Sequence, residues 1–183
     1  EHYVWGKEIY FDPSFKLPLV IRDPRPDGAR GARVTEFTQA IDVMPTVLDW
    51  IGQPIPRSCD GRSLVPFLKG RTPDDWRNAV FFEHDFRDVR GQTVERALGL
   101  TSDECCYAVI RGRKWKYVHF AALPPLLFDM ENDPHELHDL AGDPALRDVL
   151  LDCARRMLDW RLTAQERTLT NMSIGAGGVF ARE

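Results

Sequence analysis

The chain has 183 residues, 43% hydrophobic and 28% charged, with a formal net charge of -4 and an isoelectric point near 5.8. That length and balance support a sizeable core in an ordinary globular protein. The acidic balance carries no electrostatic footprint for nucleic acid or an anionic membrane, and no apolar run reaches the ~18–20 residues that would cross a bilayer.

The chain opens Glu1-His2-Tyr3-Val4-Trp5-Gly6-Lys7, an aromatic-rich run where a polar leader or signal peptide would be ordinary. It reads as the downstream end of an active-site segment. Leu17-Pro18-Leu19-Val20-Ile21 is a short apolar run, which predicts a buried strand of a parallel or mixed sheet. Asp42 as N-cap, Pro45 in the first turn and Gly52 as the stop delimit a helix. Val43, Val47, Leu48 and Ile51 share one face of it, predicted to pack on a sheet. Residues 63–68 suit a short helix, 80–83 a strand and 85–104 a polar surface excursion. Residues 107–111 and 115–118 flank Gly112 as an antiparallel hairpin, with 126–129 as a third strand.

From Asp143-Pro144 the pattern turns helical, with Asp as N-cap and Pro in the first turn. Leu146, Val149, Leu150, Cys153, Met157, Trp160 and Ala164 recur at spacings of three and four, so the helix docks one apolar stripe on the hairpin sheet. The Gly-rich stretch after Thr168 lacks periodicity and reads as an extended arm or a disordered tail.

Chemistry-bearing residues are sparse. Arg111, Arg113, Lys114 and Lys116 at strand spacing predict one solvated sheet face. In His135-Glu136-Leu137-His138 the histidines are three apart, where a zinc-protease helix needs four, so a solvated loop or helix is expected. His84, Asp85, Arg87 and Asp88 suit either a strand-end site or a local ion-pair cluster. His119 is expected to be half-buried and hydrogen-bonded. Cysteines 59, 105, 106 and 153 are too few and irregular for a disulfide scaffold; reduced thiols and a cytoplasmic setting are expected. Cys59 reads as a partly buried structural thiol. There is no Gly-x-Ser-x-Gly elbow, phosphate loop or dinucleotide fingerprint. Lys7 follows a glycine, with Trp5 and Tyr10 nearby, and a cation fixed there suits an anionic phosphoryl or sulfuryl oxygen.

Glu-His-x-x-x-Gly-Lys, Pro-Leu-Val-Ile-Arg, Ile-Asp-Val-Met-Pro-Thr-Val-Leu-Asp-Trp-Ile-Gly and Asp-Gly-Arg-Ser-Leu-Val-Pro-Phe-Leu follow one another in order. Together they resemble the C-terminal third of sulfatases in the alkaline phosphatase superfamily. Residues 127–136 resemble that family's strand and acidic turn, and 83–89, 116–129 and 160–170 are similar to its phosphonate monoester hydrolase branch.

The resemblance implies an α/β fold (α+β within this stretch). Residues 1–78 would be the terminal part of an alkaline-phosphatase-like α/β core. Residues 79–167 would be a C-terminal subdomain of antiparallel sheet plus helix, and 168–183 an extended or disordered tail serving as an oligomerisation arm in a homo-oligomer. It implies a hydrolase of small-molecule phosphonate and phosphate mono- and diesters, with sulfate esters as a further class. The family works with a divalent metal (Mn, Ca or Zn) and a formylglycine made from Cys in Cys-x-Pro-x-Arg. None of the four cysteines here sits in such a motif and no Asp-His-Gly precedes Glu1. Nucleophile and metal ligands are thus expected upstream of Glu1, and this stretch alone is expected to be inactive. Lys7 carries over as the catalytic, substrate-binding cation, and His2 by adjacency. Two rival readings are the C-terminal portion of an arylsulfatase and a stand-alone, non-catalytic interaction module. If neighbours are missing, the run at 17–21 lacks sheet partners and its apolar edge is exposed.

Overall fold

Alternating large side chains along residues 79–129 build an antiparallel sheet that buries both of its faces. A computed structural model describes residues 9–26, 28–164 and 172–181. In chain order its elements are α1 (Asp12–Phe15), α2 (Val43–Trp50), α3 (Val65–Leu68), β1 (Ala79–Asp85), α4 (Thr93–Leu98), β2 (Cys106–Gly112), β3 (Trp115–Phe120), β4 (Leu126–Asp129), α5 (Arg147–Ala164), β5 (Met172–Gly175) and β6 (Gly178–Ala181). Strands β1 to β4 form one sheet in sequence order, each antiparallel to the next. No helix among the described residues is long and apolar enough to cross a membrane.

Because side chains alternate along a strand, each strand feeds two clusters. Ala79, Ala108, Ile110, Tyr117 and Leu127 point to one face and pack with Cys153 and Met157 of α5, with Phe81, Trp115, Leu146, Val149 and Leu150 around them. The Phe81 and Trp160 rings stack at 4.9 Å and 7°. The helix starts as the sequence predicts: Pro144 opens a 3-10 turn and the Asp143 carboxylate accepts the Ala145 N–H. On the other face Tyr107, Val109, Val118, Phe128 and Met130 form a second cluster with Phe82, Phe86, Phe120, Leu126, Tyr10 and Phe11. Each fully buried large apolar side chain contributes about 1.5–3 kcal/mol, so the sheet is held from both sides. The hairpin, the third strand and the apolar stripe of α5 lie where the spacing predicts them.

Two expectations are corrected. Residues 17–21 form no strand, and Leu17, Leu19, Val20 and Ile21 are exposed, Val20 at 91%. Pro18 lacks the N–H that a central strand needs, and no described strand lies alongside to pair with the run. Helix α2 forms and stops at Gly52, whose φ of +72° suits glycine. Its Val43, Val47 and Ile51 face solvent, however, while Pro45 and Thr46 are buried. Within the Gly-rich C-terminal stretch, β5 and β6 pair as an antiparallel hairpin.

The orientation of α2 follows from Asp42, which is wholly buried. Its carboxylate accepts the Gln39 and Arg62 backbone N–H groups at 2.7 and 2.8 Å and both Arg77 Nη atoms at 2.6 Å. Thr46 Oγ1, one turn on, donates to the Asp42 carbonyl and accepts the Leu64 N–H. Arg62 and Arg77 lie over the Trp76 ring at 4.8 and 4.9 Å. Gly61 runs so close beneath that a Cβ would sit 2.0 Å from the Ile41 carbonyl oxygen. This hub turns the Thr46 side of α2 inward and leaves its apolar stripe outside. Asp42→Ala strands a mostly buried Arg77, and we expect it to lower stability by about 3–5 kcal/mol in urea denaturation, more than Asp42→Asn.

Candidate functional site

Lys7 and His2, the residues expected to act on substrate, lie outside the described residues. What is described is the platform immediately downstream. Tyr10 packs against Tyr107, Phe120 and Phe128 with ring centroids 5.9–6.2 Å apart, and Phe15 stacks on Phe82 at 4.1 Å. Residues 10–15 thereby cover the sheet face opposite α5.

Charge fixes the same segment. Arg111 of β2 and Lys116 of β3 are direct cross-strand partners, a like-charge pair that repels unless bridged. Asp12 bridges it. Lys116 Nζ lies 2.8 Å from Asp12 Oδ1, and the Arg111 guanidinium lies 3.2 Å from Asp12 Oδ2. Lys116 Nζ also lies 2.6 Å from Glu136 Oε2, and Glu136 Oε1 accepts the Asp12 backbone N–H at 2.7 Å. Lys116 is wholly buried and Glu136 nearly so. Two cations thus meet two carboxylates in a closed network. Burial raises the Asp12 carboxyl, but Lys116 and then Arg111 outweigh it and hold the group below the ordinary carboxylate range. Asp12 is therefore ionised at neutral pH.

Glu136 reaches this position through an unusual backbone. Its φ is +56°, a left-handed conformation that costs a non-glycine residue roughly 1–2 kcal/mol. The acidic turn before it supplies the restraint. The Asp129 carboxylate accepts the Glu131 and Asn132 N–H groups and the Asn132 side-chain amide, and Asp133 accepts the Leu137 and His138 N–H groups. The Glu136 N–H donates to the Asp133 carbonyl.

The other sequence candidates separate. Arg111, Arg113, Lys114 and Lys116 do not form one solvated face: Arg113 and Lys114 are exposed, whereas Arg111 and Lys116 lie beneath residues 10–15. His135 and His138 are exposed in a loop, as expected, but Glu136 between them is buried. Asp85 pairs with Arg87 while the His84 ring lies beside Tyr107 and Phe15, which is the local-cluster arrangement. His119 is exposed rather than half-buried, with Nδ1 2.9 Å from the Tyr117 hydroxyl. Cys59 is partly buried, and the four cysteines are free, Cys105 and Cys106 included. Among the described residues no three His, Cys, Asp or Glu side chains converge as metal ligands, so they do not themselves fit a metal centre. Sequence reasoning passed over Asp12 and took Lys116 and Glu136 as solvated, although the parity of Lys116 with Val118 and Phe120 already puts it on an apolar face.

Comparison with known proteins gives this platform its setting. The family model for the C-terminal region of N-sulphoglucosamine sulphohydrolase matches residues 1–163. The multifunctional alkaline phosphatase superfamily protein PehA of Trinickia caryophylli is 46% identical over 182 residues, covering 100% of this chain and 35% of that protein. The phosphonate monoester hydrolase of Silicibacter pomeroyi superposes with a TM-score of 0.86 at 38% identity, over 98% of this chain and 36% of that one. The phosphonate monoester hydrolase of Agrobacterium radiobacter gives a TM-score of 0.72 at 43% identity, over 82% of this chain and 30% of its own. The chain spans roughly a third of the length of these proteins. It belongs to the sulfatase C-terminal family, as the C-terminal portion of an alkaline phosphatase superfamily protein.

Proposed function

We propose that this chain is the C-terminal part of a metal-dependent hydrolase of phosphonate and phosphate mono- and diesters, with sulfate esters as a further class. Residues 1–78 contribute to its catalytic core and 79–167 form its C-terminal subdomain. The observation that carries this reading is the likeness to PehA, 46% identical over 182 residues. The anchored segment 10–15, a few residues downstream of Lys7 in the sequence, supports it, because a cation aids a developing anionic centre only when its position is set beforehand. Lys7 stabilises negative charge on the oxygens of a tetrahedral phosphorus or sulfur centre, and His2 lines the same site. The divalent metal and the formylglycine nucleophile are held by other parts of the protein. The exposed Val179 and Phe180 of the β5–β6 hairpin support a contact arm in a homo-oligomer, and the free cysteines support a cytoplasmic setting.

In the full-length protein, Lys7→Ala is expected to lower kcat/KM for p-nitrophenyl phenylphosphonate with Mn²⁺ by about 10²–10³; an unchanged value overturns the assignment of Lys7. The 183-residue chain by itself is expected to give no turnover under the same conditions, and turnover above that of its Lys7→Ala variant counts against the reading.

A further inference from the structure

Residues 10–15 lie on the main sheet without belonging to it. Their main chain makes one hydrogen bond to the described residues beyond the segment and its flanks, from the Asp12 N–H to Glu136 Oε1. The Asp12 carboxylate adds its contacts with Lys116 and Arg111, and Tyr10, Phe11 and Phe15 add ring contacts. Downstream, residues 17–22 are exposed and make no main-chain hydrogen bond among the described residues, so nothing described ties the segment down from that side. The sheet has other support. Its strands pair in register, and α5 packs Cys153 and Met157 on the opposite face.

Beneath the segment lies a group that gains from its removal. The Tyr107 hydroxyl is buried without a hydrogen-bond partner. Tyr10 stands edge-on to the Tyr107 ring at 6.0 Å, with His84, Phe86 and Phe120 also around it. A buried hydroxyl in that state forfeits the hydrogen bonds that water gives it. Closure of the segment thus carries a cost that hydration relieves.

We propose that residues 10–15 form a strap that opens from the sheet as a local unit, clasped by Asp12 and pushed toward opening by the Tyr107 hydroxyl. Such units open at a lower free energy than the whole fold. Opening uncovers the aromatic face of Phe82, Tyr107, Phe120 and Phe128 while β1–β4 and α5 stay in place. Strap, clasp and hydroxyl all lie within the described residues and do not depend on which ester the protein cleaves.

Hydrogen exchange of the full-length protein at neutral pH tests this, resolved by mass spectrometry into segments covering residues 9–16 and 106–120. Wild-type strap amides are expected to exchange at least about 10-fold faster than those of β2 and β3, and more slowly than an unfolded chain. Asp12→Asn is expected to speed strap exchange about 10-fold and to leave the strands within about 2-fold. Glu136→Gln, outside both segments, is expected to act the same way and carries the test if Asp12→Asn does not fold. Tyr107→Phe removes only the hydroxyl and is expected to slow strap exchange about 5-fold or more. Strap and strand amides that exchange together overturn the local unit, and strap amides as fast as an unfolded chain overturn its closure. A strap indifferent to Asp12→Asn overturns the clasp. Unchanged or faster strap exchange in Tyr107→Phe overturns the push from the hydroxyl.

Discussion

An ammonium group with no solvent contact needs buried acceptors, best of all carboxylates, in place of its hydration shell. Lys116 obtains two of them from distant parts of the chain, Asp12 near its start and Glu136 beyond the last strand of the main sheet. Several features depend on that requirement. Residues 10–15 must lie across the sheet, the 129–138 turn must hold its strained shape, and β2 and β3 must keep the register that sets Arg111 opposite Lys116. Removing either carboxylate would leave positive charge unbalanced in the sheet; removing the lysine would leave two carboxylates close together. The constraint is mutual, so the network acts as a gauge of correct assembly.

Asp42 solves a similar problem with other parts. It too is a buried carboxylate facing a cation, and it too collects backbone N–H groups from separate segments. Its cation is an arginine whose two Nη atoms match the two carboxylate oxygens. The Asp42 hub ties the α2 region to the loops before and after α3, and the Gln39 amide beside it donates to the Phe81 carbonyl of edge strand β1. The Asp12 network ties the start of the chain to the sheet centre. Between them, two polar centres set how the irregular first half meets the regular second half.

Much of the second half was legible in the sequence because its signals are local. Period-two alternation marks β2, β3 and β4, Gly112 marks the hairpin, and Asp143-Pro144 with the three-and-four spacing marks α5. The first half was harder because the positions of its elements are set by partners far away in sequence. The apolar run at 17–21 has the composition of a strand, but composition does not supply a pairing neighbour, and Pro18 weakens it further. The stripe on α2 is real, yet Asp42 decides which side of the helix turns inward. Lys116 was read as solvated because a charged strand residue usually is; its burial depends on Asp12, 104 positions earlier. The family was legible through Lys7 and the ordered motifs, whereas the network that holds residues 10–15 runs between segments far apart in sequence.

That separation of 104 positions also has a kinetic side. The β1–β4 meander joins neighbours in sequence, so its contacts close short loops and can form early. The Asp12 clasp cannot exist until the β2–β3 hairpin and the acidic turn are both in place. On a ribosome adding about 5–20 residues per second, residues 10–15 wait roughly 5–20 s before Lys116 is even synthesised. During that interval Tyr10, Phe11 and Phe15 have no sheet to cover, and a chaperone binding these aromatics would act upstream of every later docking step. Residues 10–15 are therefore among the last to settle, although they are made well before the sheet that they cover.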